Sequence, residues 1–573
     1  MSKSMYLAET RREQVFPVLT AAQIETAAQF ASGAPRRYRP HERLFAIGER
    51  NAPVFVVIAG DVLIQQRHRG AEQTLVVSLG RGAIVGEVSQ LGGRAAVAEG
   101  VAGDTGCEVF SYDATQLRAL INGSADIGEI LIRAFILRRA ALISGGAGAV
   151  LAGRPGDPEL LRLEGFLNRN GQPYALVDVG DGGEGQLLVD RFGLHSQDMP
   201  IVLCPDGTLL RCPSEVEVGQ RLGITPELDS SRVYDVAVVG AGPAGLATAV
   251  YAASEGLSVV VLEARAHGGQ AGDSARIENY IGFPTGISGQ ALATRAFIQA
   301  QKFGADIAVP VRVAALDCAT GVTGVDDPFT LRLEGGRSMR ARIVVIASGA
   351  RYRRIAIANL ATYEGAGVSY WASPLEARTC EGARVALVGA GNSAGQAAVF
   401  LAPKVSYLNL VVRGESLEAS MSSYLIERIH ALPNVHVHLR TQIVALRGDA
   451  ESRLDGATFH HQHSGRQWDE PLSHVFLFVG ADPNSSWLGG ADIALDAKGF
   501  MLTGELAMGP LWINQTRSPH PLETSRPGVF AIGDVRAGSI KRVAAAVGEG
   551  AQVVSAIHQV LFGLSSVPGQ PSA

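Results

Sequence analysis

Three glycines in the run Val236-Ala-Val-Val-Gly-Ala-Gly-Pro-Ala-Gly245 have the spacing that turns a chain from a buried strand into a helix around a pyrophosphate. Gly240 and Gly242 allow the tight turn and the close approach of backbone to phosphate, with Pro243 and Ala244 completing the loop. Gly245 lets helix and strand pack closely, and the helix N-terminus faces the negative charge. The apolar stretch Leu257–Leu262 ends in Glu263, about 20 residues on, where a carboxylate accepts a ribose hydroxyl. The pattern recurs at Val385-Ala-Leu-Val-Gly-Ala-Gly-Asn-Ser-Ala394, with Gly389 and Gly391 at the turn and Asn392, Ser393 and Ala394 opening the helix. Here the following strand, Val405–Val412, ends in Arg413. A guanidinium suits the 2′-phosphate of NADP, so NADPH is the expected coenzyme; Glu415 would instead serve an NAD ribose, which keeps NADH as the less favoured choice. Two such units on one chain imply hydride passing from one cofactor to another.

Thiol chemistry is the second question these residues raise. Cys107, Cys204, Cys212, Cys318 and Cys380 include no CxxC pair, and their number is odd. They read as free thiols of a reducing, cytoplasmic compartment. The start of the chain carries no apolar signal segment. Val236 to Ser254 lacks charge, but Gly240, Gly242, Pro243 and Gly245 divide it into strand, turn and helix, so no membrane span is expected. Net charge is −5 with scattered basic residues, which excludes an extended nucleic-acid or acidic-membrane surface. No metal site is read from the sequence.

A chain of 573 residues exceeds one core. The N-terminal part reads as short strands, Val54–Ala59, Val62–Gln66 and Thr74–Ser78, separated by turns at Gly60-Asp61 and Arg69-Gly70. A helix over Asp126–Leu142 follows, then a linker, Ser144 to Ala149. A small α/β unit spans residues 150–228, with a hairpin pairing Ile201–Cys204 and Thr208–Arg211. From Val233 onward strands alternate with helices, as in parallel α/β architecture.

From Tyr234 to about Phe562 the chain resembles the low-molecular-weight thioredoxin reductases. Besides the two fingerprints it carries Gly268-Gly-Gln270, Ile277-Glu-Asn-Tyr-Ile-Gly-Phe283, Ile287-Ser-Gly289, Ile346-Ala-Ser-Gly-Ala350 and Val529-Phe-Ala-Ile-Gly-Asp-Val535. The resemblance implies a split FAD domain, residues 233–345 and 466–565, with an NAD(P)H domain, 346–465, inserted between, and a homodimer. It implies that Gly269, Gln270, Asn279 and Val313 line the flavin nucleotide, that Gly349 and Gly533 belong to the same site, and that Asp534 holds the ribitol. Arg542 and Val543 would sit by the isoalloxazine.

Two departures from that family stand out. Its dithiol lies in a Gly-Val-Ser-x-Cys-Ala-x-Cys setting, whereas this chain reads Gly367-Val-Ser-Tyr-Trp-Ala-Ser-Pro374, with Trp371 and Pro374 at the cysteine positions. Neither forms a thiolate, so a flavin-to-disulfide relay is not expected there. The Arg-rich loop after the second fingerprint keeps one arginine, in Val411-Val-Arg-Gly-Glu-Ser416.

The front of the chain, residues 1–145, resembles a cyclic-nucleotide-binding β-roll over about 40–118. Its cassette motif is Gly86-Glu-Val-Ser followed by Arg94-Ala95-Ala-Val. The resemblance implies that Glu87 takes a ribose hydroxyl and Arg94 the cyclic phosphate. Their short spacing implies a truncated cassette helix, and both nucleotide binding and a ligand-free scaffold stay open. No helix-turn-helix follows, so DNA binding is not expected. The unit 150–228 looks like a thioredoxin or glutaredoxin fold, with Met199-Pro200 at the cis-proline position and no cysteine near Arg154-Pro-Gly-Asp157, where a dithiol would sit.

The expected architecture is therefore three-part: β-roll, small α/β unit, and two-Rossmann flavoprotein reductase. The expected activity is oxidation of NADPH through FAD, with electrons leaving to a small molecule or redox protein and not to an internal disulfide. No catalytic side chain is assigned. A flavin-bearing sensor or scaffold without turnover is the alternative.

Overall fold

The computed structural model describes residues 12–562 apart from 68–72, 87, 93, 145–147, 181–182, 319–326, 358, 365–366, 449–452, 514 and 516. Glu87 thus lies outside the described residues.

The first unit is an antiparallel roll in the order Arg36–Tyr38, Glu99–Tyr112, Val54–Arg67, Gln73–Leu79. Val54–Arg67 is one strand, where the sequence pattern indicated two strands around a turn at Gly60. Gly60 has φ +69° and marks a register shift against Glu99–Tyr112, so it is a bulge within a continuous pairing. A side chain there would lie 2.0 Å from the Gly106 carbonyl oxygen. The Ala114–Gly123 helix follows, capped by Asp113 through Thr115 N and Gln116 N, and then the Ala125–Ser144 helix. Leu117, Ile121, Ile127 and Phe135 from these helices share one buried cluster with Val236, Leu246, Phe297 and Ile298. The N-terminal unit is therefore packed onto the α/β body and not tethered to it.

Ala149, read from sequence as linker, opens the strand Ala149–Gly153. The small sheet runs Leu209–Arg211, Ile201–Leu203, Ala149–Gly153, Tyr174–Asp178. Ala149–Gly153 is parallel to Tyr174–Asp178 and antiparallel to Ile201–Leu203, and the Met199–Pro200 peptide is cis. Asp157 caps the Pro158–Arg169 helix through Glu159 N and Leu160 N, and Pro158 sits in its first turn. Leu160, Leu163, Phe166 and Leu167 form its buried face.

The seven-stranded sheet of the first α/β domain contains the parallel strands Val233–Val239, Val259–Leu262 and Ser338–Ile346, extended by the antiparallel strands Phe329–Leu333 and Val313–Asp317. Val529–Ala531 closes it against Ser338–Ile346. The inserted domain has a five-stranded parallel sheet ordered Val368–Ser369, His474–Leu477, Arg384–Val388, Tyr407–Val411, Val435–His438. A three-stranded antiparallel sheet is built onto it. The return at residue 466 read from sequence falls inside this domain. Gln467–Pro471 pairs with Leu454–His461, and His474–Leu477 pairs with Arg384–Val388. Backbone pairing thus keeps the chain in the insertion until the Ala481–Pro483 strand, which forms a two-stranded ribbon with Ala350–Tyr352. No helix among the described residues is long and apolar enough to cross a membrane.

Candidate active site: two helix starts on one cavity

Both glycine turns open on a single cavity of about 2120 Å³, beyond the roughly 300–1,000 Å³ of an ordinary ligand pocket. Gly240, at φ +110°, brings its Cα so close to the neighbouring strand end that a side chain would lie 2.3 Å from the Ala347 carbonyl oxygen. Gly245 does not line the cavity; a side chain there would meet the Gly240 carbonyl at 1.9 Å. Its work is close packing, as the spacing implies. Gly242, by contrast, has open space where a side chain would be, and so does Gly391. Each is the N-cap of its helix, Pro243–Ser254 and Asn392–Leu401, and neither end has a side-chain cap. Two helix N-termini thus present uncapped N–H groups to the same space, the arrangement an anionic dinucleotide satisfies.

The nominated residues of the first site converge here. Pro243, Ala244, Glu263, Gly269, Gln270, Asn279, Val313, Gly349, Gly533, Asp534, Arg542 and Val543 all line the cavity. Glu263 also shapes the turn, accepting from Ala241 N at 2.8 Å and Arg265 N at 2.9 Å. The Gln270 side-chain amide donates to the Ala350 carbonyl, tying the Gly269–Gly272 helix to the interdomain ribbon. Burial raises the Asp534 carboxyl above its usual range, against the opposing charge of Lys541. Glu549 fixes the loop by accepting from Gly533 N at 2.6 Å and from Arg536.

Gly389, Gly391, Asn392, Ser393, Ala394 and Arg413 line the other end. Arg440 N donates to the Gly414 carbonyl at 2.9 Å, which joins Arg440 to the loop of Arg413. The Arg440 side chain pairs with Glu415 at 3.0 Å. Glu415, the carboxylate considered for an NAD ribose, is thereby engaged. Arg440 and Lys541 were missed in the sequence. Only tertiary pairing brings Arg440 to the loop, and a lysine near a motif carries no signal of its own.

Trp371 and Pro374 are both held in place by local structure. The Trp371 indole donates to Glu376 Oε1 at 2.7 Å. Pro374 opens the Pro374–Thr379 helix, whose Glu376 accepts from Ser373 N at 3.0 Å in a capping arrangement. Tyr352 lies 6.5 Å from Trp371 and 6.2 Å from Tyr370, all at the cavity wall. Burial pushes Cys107 and Cys380 up to about 11 and Cys204 to about 12, and raises Cys318 as well. Cys204 is buried while Cys212 is exposed and donates to the Gln197 and Met199 carbonyls, so the two are unpaired.

At the N-terminal cassette, Gly86 adopts φ +139° and its carbonyl accepts from Arg138 at 2.6 Å. Ala95 packs beside Gly223, whose side chain, if present, would fall 2.7 Å from Ala95 N. Arg94 is buried; one guanidinium nitrogen lies 3.5 Å from the Asn170 carbonyl, and the group stacks 5.0 Å over Phe297. Arg94 thus reaches the junction with both following domains.

Two α/β sheets, one inserted in the other, with both glycine turns on one cavity, define a two-domain dinucleotide oxidoreductase. Residues 234–550 match the family model described as pyridine nucleotide-disulphide oxidoreductase, and residues 35–124 match the cyclic nucleotide-binding domain. The chain belongs to the pyridine nucleotide-disulphide oxidoreductase family and is similar to thioredoxin reductases within it. It is 31% identical to thioredoxin reductase of Treponema pallidum, across 56% of this chain and 94% of that protein. It is 32% identical over 348 residues to an alkyl hydroperoxide reductase component of Pseudomonas putida, across 59% of this chain. That match spans 60% of the relative's length. The crystal structure of T. acidophilum thioredoxin reductase superposes with a TM-score of 0.50 at 27% identity, over 57% of this chain and 98% of that one.

Proposed function

We propose that this chain is a FAD-dependent NAD(P)H oxidoreductase, with NADPH preferred, that delivers electrons to an acceptor other than an internal disulfide. The observation that carries the reading is the single cavity onto which both uncapped helix starts open. FAD would be held by the Gly240–Gly245 turn, Glu263, Gly269, Gln270, Asn279, Val313, Gly349, Gly533 and Asp534, with Arg542 and Val543 at the flavin ring. The nicotinamide dinucleotide would lie on Gly389, Gly391, Asn392, Ser393 and Ala394, with Arg413 at the 2′-phosphate. A bound flavin supplies the two-electron acceptance and release that no side chain here provides. The side chains bind, orient and exclude water: helix N-termini hold phosphates, and Trp371, fixed by Glu376, occupies the wall where the related dithiol would stand.

The unit 150–228 is read as a thioredoxin-like fold without a dithiol, and the N-terminal domain as a modulator that takes a cyclic nucleotide. A quinone, a small oxidant, oxygen or a separate electron-transfer protein fits the missing relay as acceptor. A cytoplasmic homodimer completes the reading. The test is direct. Purified protein should be yellow with about one FAD per chain, and NADPH consumption should continue with an acceptor from that set. Colourless protein that FAD cannot reconstitute ends this reading; one round of flavin reduction without turnover supports the sensor alternative instead.

A further inference from the structure

The thioredoxin-like unit meets the reductase through the wrong end of its first helix for electron delivery. A dithiol of that fold would sit at the Asp157 end of the Pro158–Arg169 helix, and that end carries no cysteine. The helix makes its contact by the Arg169 end, about 18 Å away at 1.5 Å per residue, and elsewhere in the unit Thr225 donates to the Val309 carbonyl at 2.7 Å. At the helix end Arg169, Asn170, Gly171 and Gln172 form a turn gripped from two sides. From the FAD domain, Gln290 donates to the Arg169 carbonyl at 2.8 Å, and the Arg265 carbonyl accepts from Asn170 at 3.1 Å. From the β-roll unit, Arg139 donates to the Gly171 carbonyl at 2.9 Å and to Gln172 at 3.1 Å, with Arg94 at the Asn170 carbonyl. Guanidinium groups at helix C-terminal carbonyls are the favourable polarity. One turn earlier, buried Glu164 accepts from Tyr174 at 3.0 Å and pairs with Arg378 of the nicotinamide domain at 3.4 Å.

Arg169 goes further than docking. It lines the cofactor cavity and forms two parallel bonds with Asp273, Nε–Oδ1 at 3.0 Å and Nη2–Oδ2 at 3.2 Å. The Asp273 side chain is 8% exposed, and its backbone N–H caps the C-terminus of the Gly269–Gly272 helix, which carries Gln270 and its bond to the interdomain ribbon. A buried carboxylate held bidentately by one arginine is costly to leave alone.

Resting on the cofactor reading above, we propose that Arg169 is a positioning residue of the flavin site, contributed by the thioredoxin-like unit, and that this unit serves as a splint between the two cofactor domains. Through Asp273 it fixes the Gly269–Gly272 helix, and through Glu164 it braces the nicotinamide domain. The charged and titratable groups facing Asp273 are Arg169, Arg265, Glu376 and Tyr352. Burial already raises the Asp273 carboxyl to about 6, with Arg169 the strongest opposing charge. Loss of Arg169 moves its proton uptake to higher pH, beside the flavin.

The experiment uses the full chain loaded with FAD, in the parent, R169M, R169K, D273N and the R169M/D273N pair. FAD dissociation constants and flavin absorption spectra are measured from about pH 5 to about pH 8. R169M is expected to weaken FAD by about tenfold and to move the pH midpoint of the flavin spectrum above the parent's, as Asp273 takes up its proton at higher pH. R169K restores most of the affinity, and the pair abolishes the pH dependence while leaving FAD weak. If R169M does not fold, D273N, which keeps the side-chain size but removes the clamp's charge, carries the test with the same expected weakening. Parent-like FAD affinity and a parent-like pH midpoint in R169M, or unchanged affinity in D273N, overturn the proposal. A parent that binds no FAD overturns the cofactor reading, and this inference with it.

Discussion

The Trp371 indole and the Glu376 carboxylate are hydrogen-bonded at 2.7 Å, which fixes an aromatic side chain at the cavity wall. Glu376 at the same time caps its own helix through Ser373. The pair is a structural element, and Cys380 nearby is buried with its thiol held protonated.

Electron transfer should therefore be indifferent to sulfur. Replacing all five cysteines should leave NADPH-dependent flavin reduction within about threefold, because burial holds the Cys107, Cys204, Cys318 and Cys380 thiols protonated and no two cysteines are paired. Stopped-flow absorbance of the flavin reads this, and the parent should reduce thioredoxin and aromatic disulfides poorly. Intact flavin reduction with lost acceptor turnover would assign the electrons to a hidden thiol.

Arg413→Ala should raise KM for NADPH at least about tenfold and barely affect NADH, since a guanidinium–phosphate contact contributes about 1.5–3 kcal/mol. Arg440, joined to the same loop through Gly414, should show a smaller effect of the same sign. Equal losses with both coenzymes would remove Arg413 from the 2′-phosphate.

Cyclic nucleotide, where it acts, should act through Arg94. Its guanidinium already contacts Asn170 and Phe297, so a phosphate at the cassette competes with the junction. Calorimetry should find cyclic AMP or cyclic GMP binding at least about tenfold weaker in Arg94→Ala than in the parent. Unchanged binding in that variant would locate the ligand elsewhere, and none in the parent would leave the domain a scaffold.

His267 supplies a pH prediction. It is buried without a hydrogen-bond partner on either ring nitrogen, stacked 4.4 Å from Phe297, and burial among Arg94, Arg169 and Arg139 lowers it to about 3. A depressed folded value means its contribution is present above the unfolded value near 6.5 and is lost as pH falls toward 3. At pH 5 that loss is about 2 kcal/mol. Urea unfolding of His267→Phe should show a shallower decline between pH 7 and pH 5 than the parent; identical slopes would mean the imidazole is not neutral in the fold.

Features carried by contiguous residues were legible in the sequence. Gly240, Gly242 and Gly391 announce themselves because turn, helix start and phosphate contact all involve neighbours in the chain. Features created by distant partners were not. Gly60 looks like a turn residue until Gly106 is brought against it, and residue 466 looks like a return until Gln467–Pro471 finds Leu454–His461. Arg169 belonged to a different unit altogether, and only packing carries it to Asp273. Local chemistry survives in a string of letters, whereas convergence depends on the fold.

The strand Val529–Ala531 completes a sheet whose other members precede the insertion, and the Val543–Phe562 helix packs on the Pro243–Ser254 helix at Gly550 and Ala244. During synthesis the ribosome therefore releases the β-roll, the small α/β unit and the whole inserted domain before the FAD domain acquires its last strand. At about 5–20 residues per second, the Val344–Ile346 end of its strand waits roughly 9–40 seconds for that partner. Throughout that interval an apolar sheet edge is open to stray pairing, and the domains already folded on either side of it are its nearest cover.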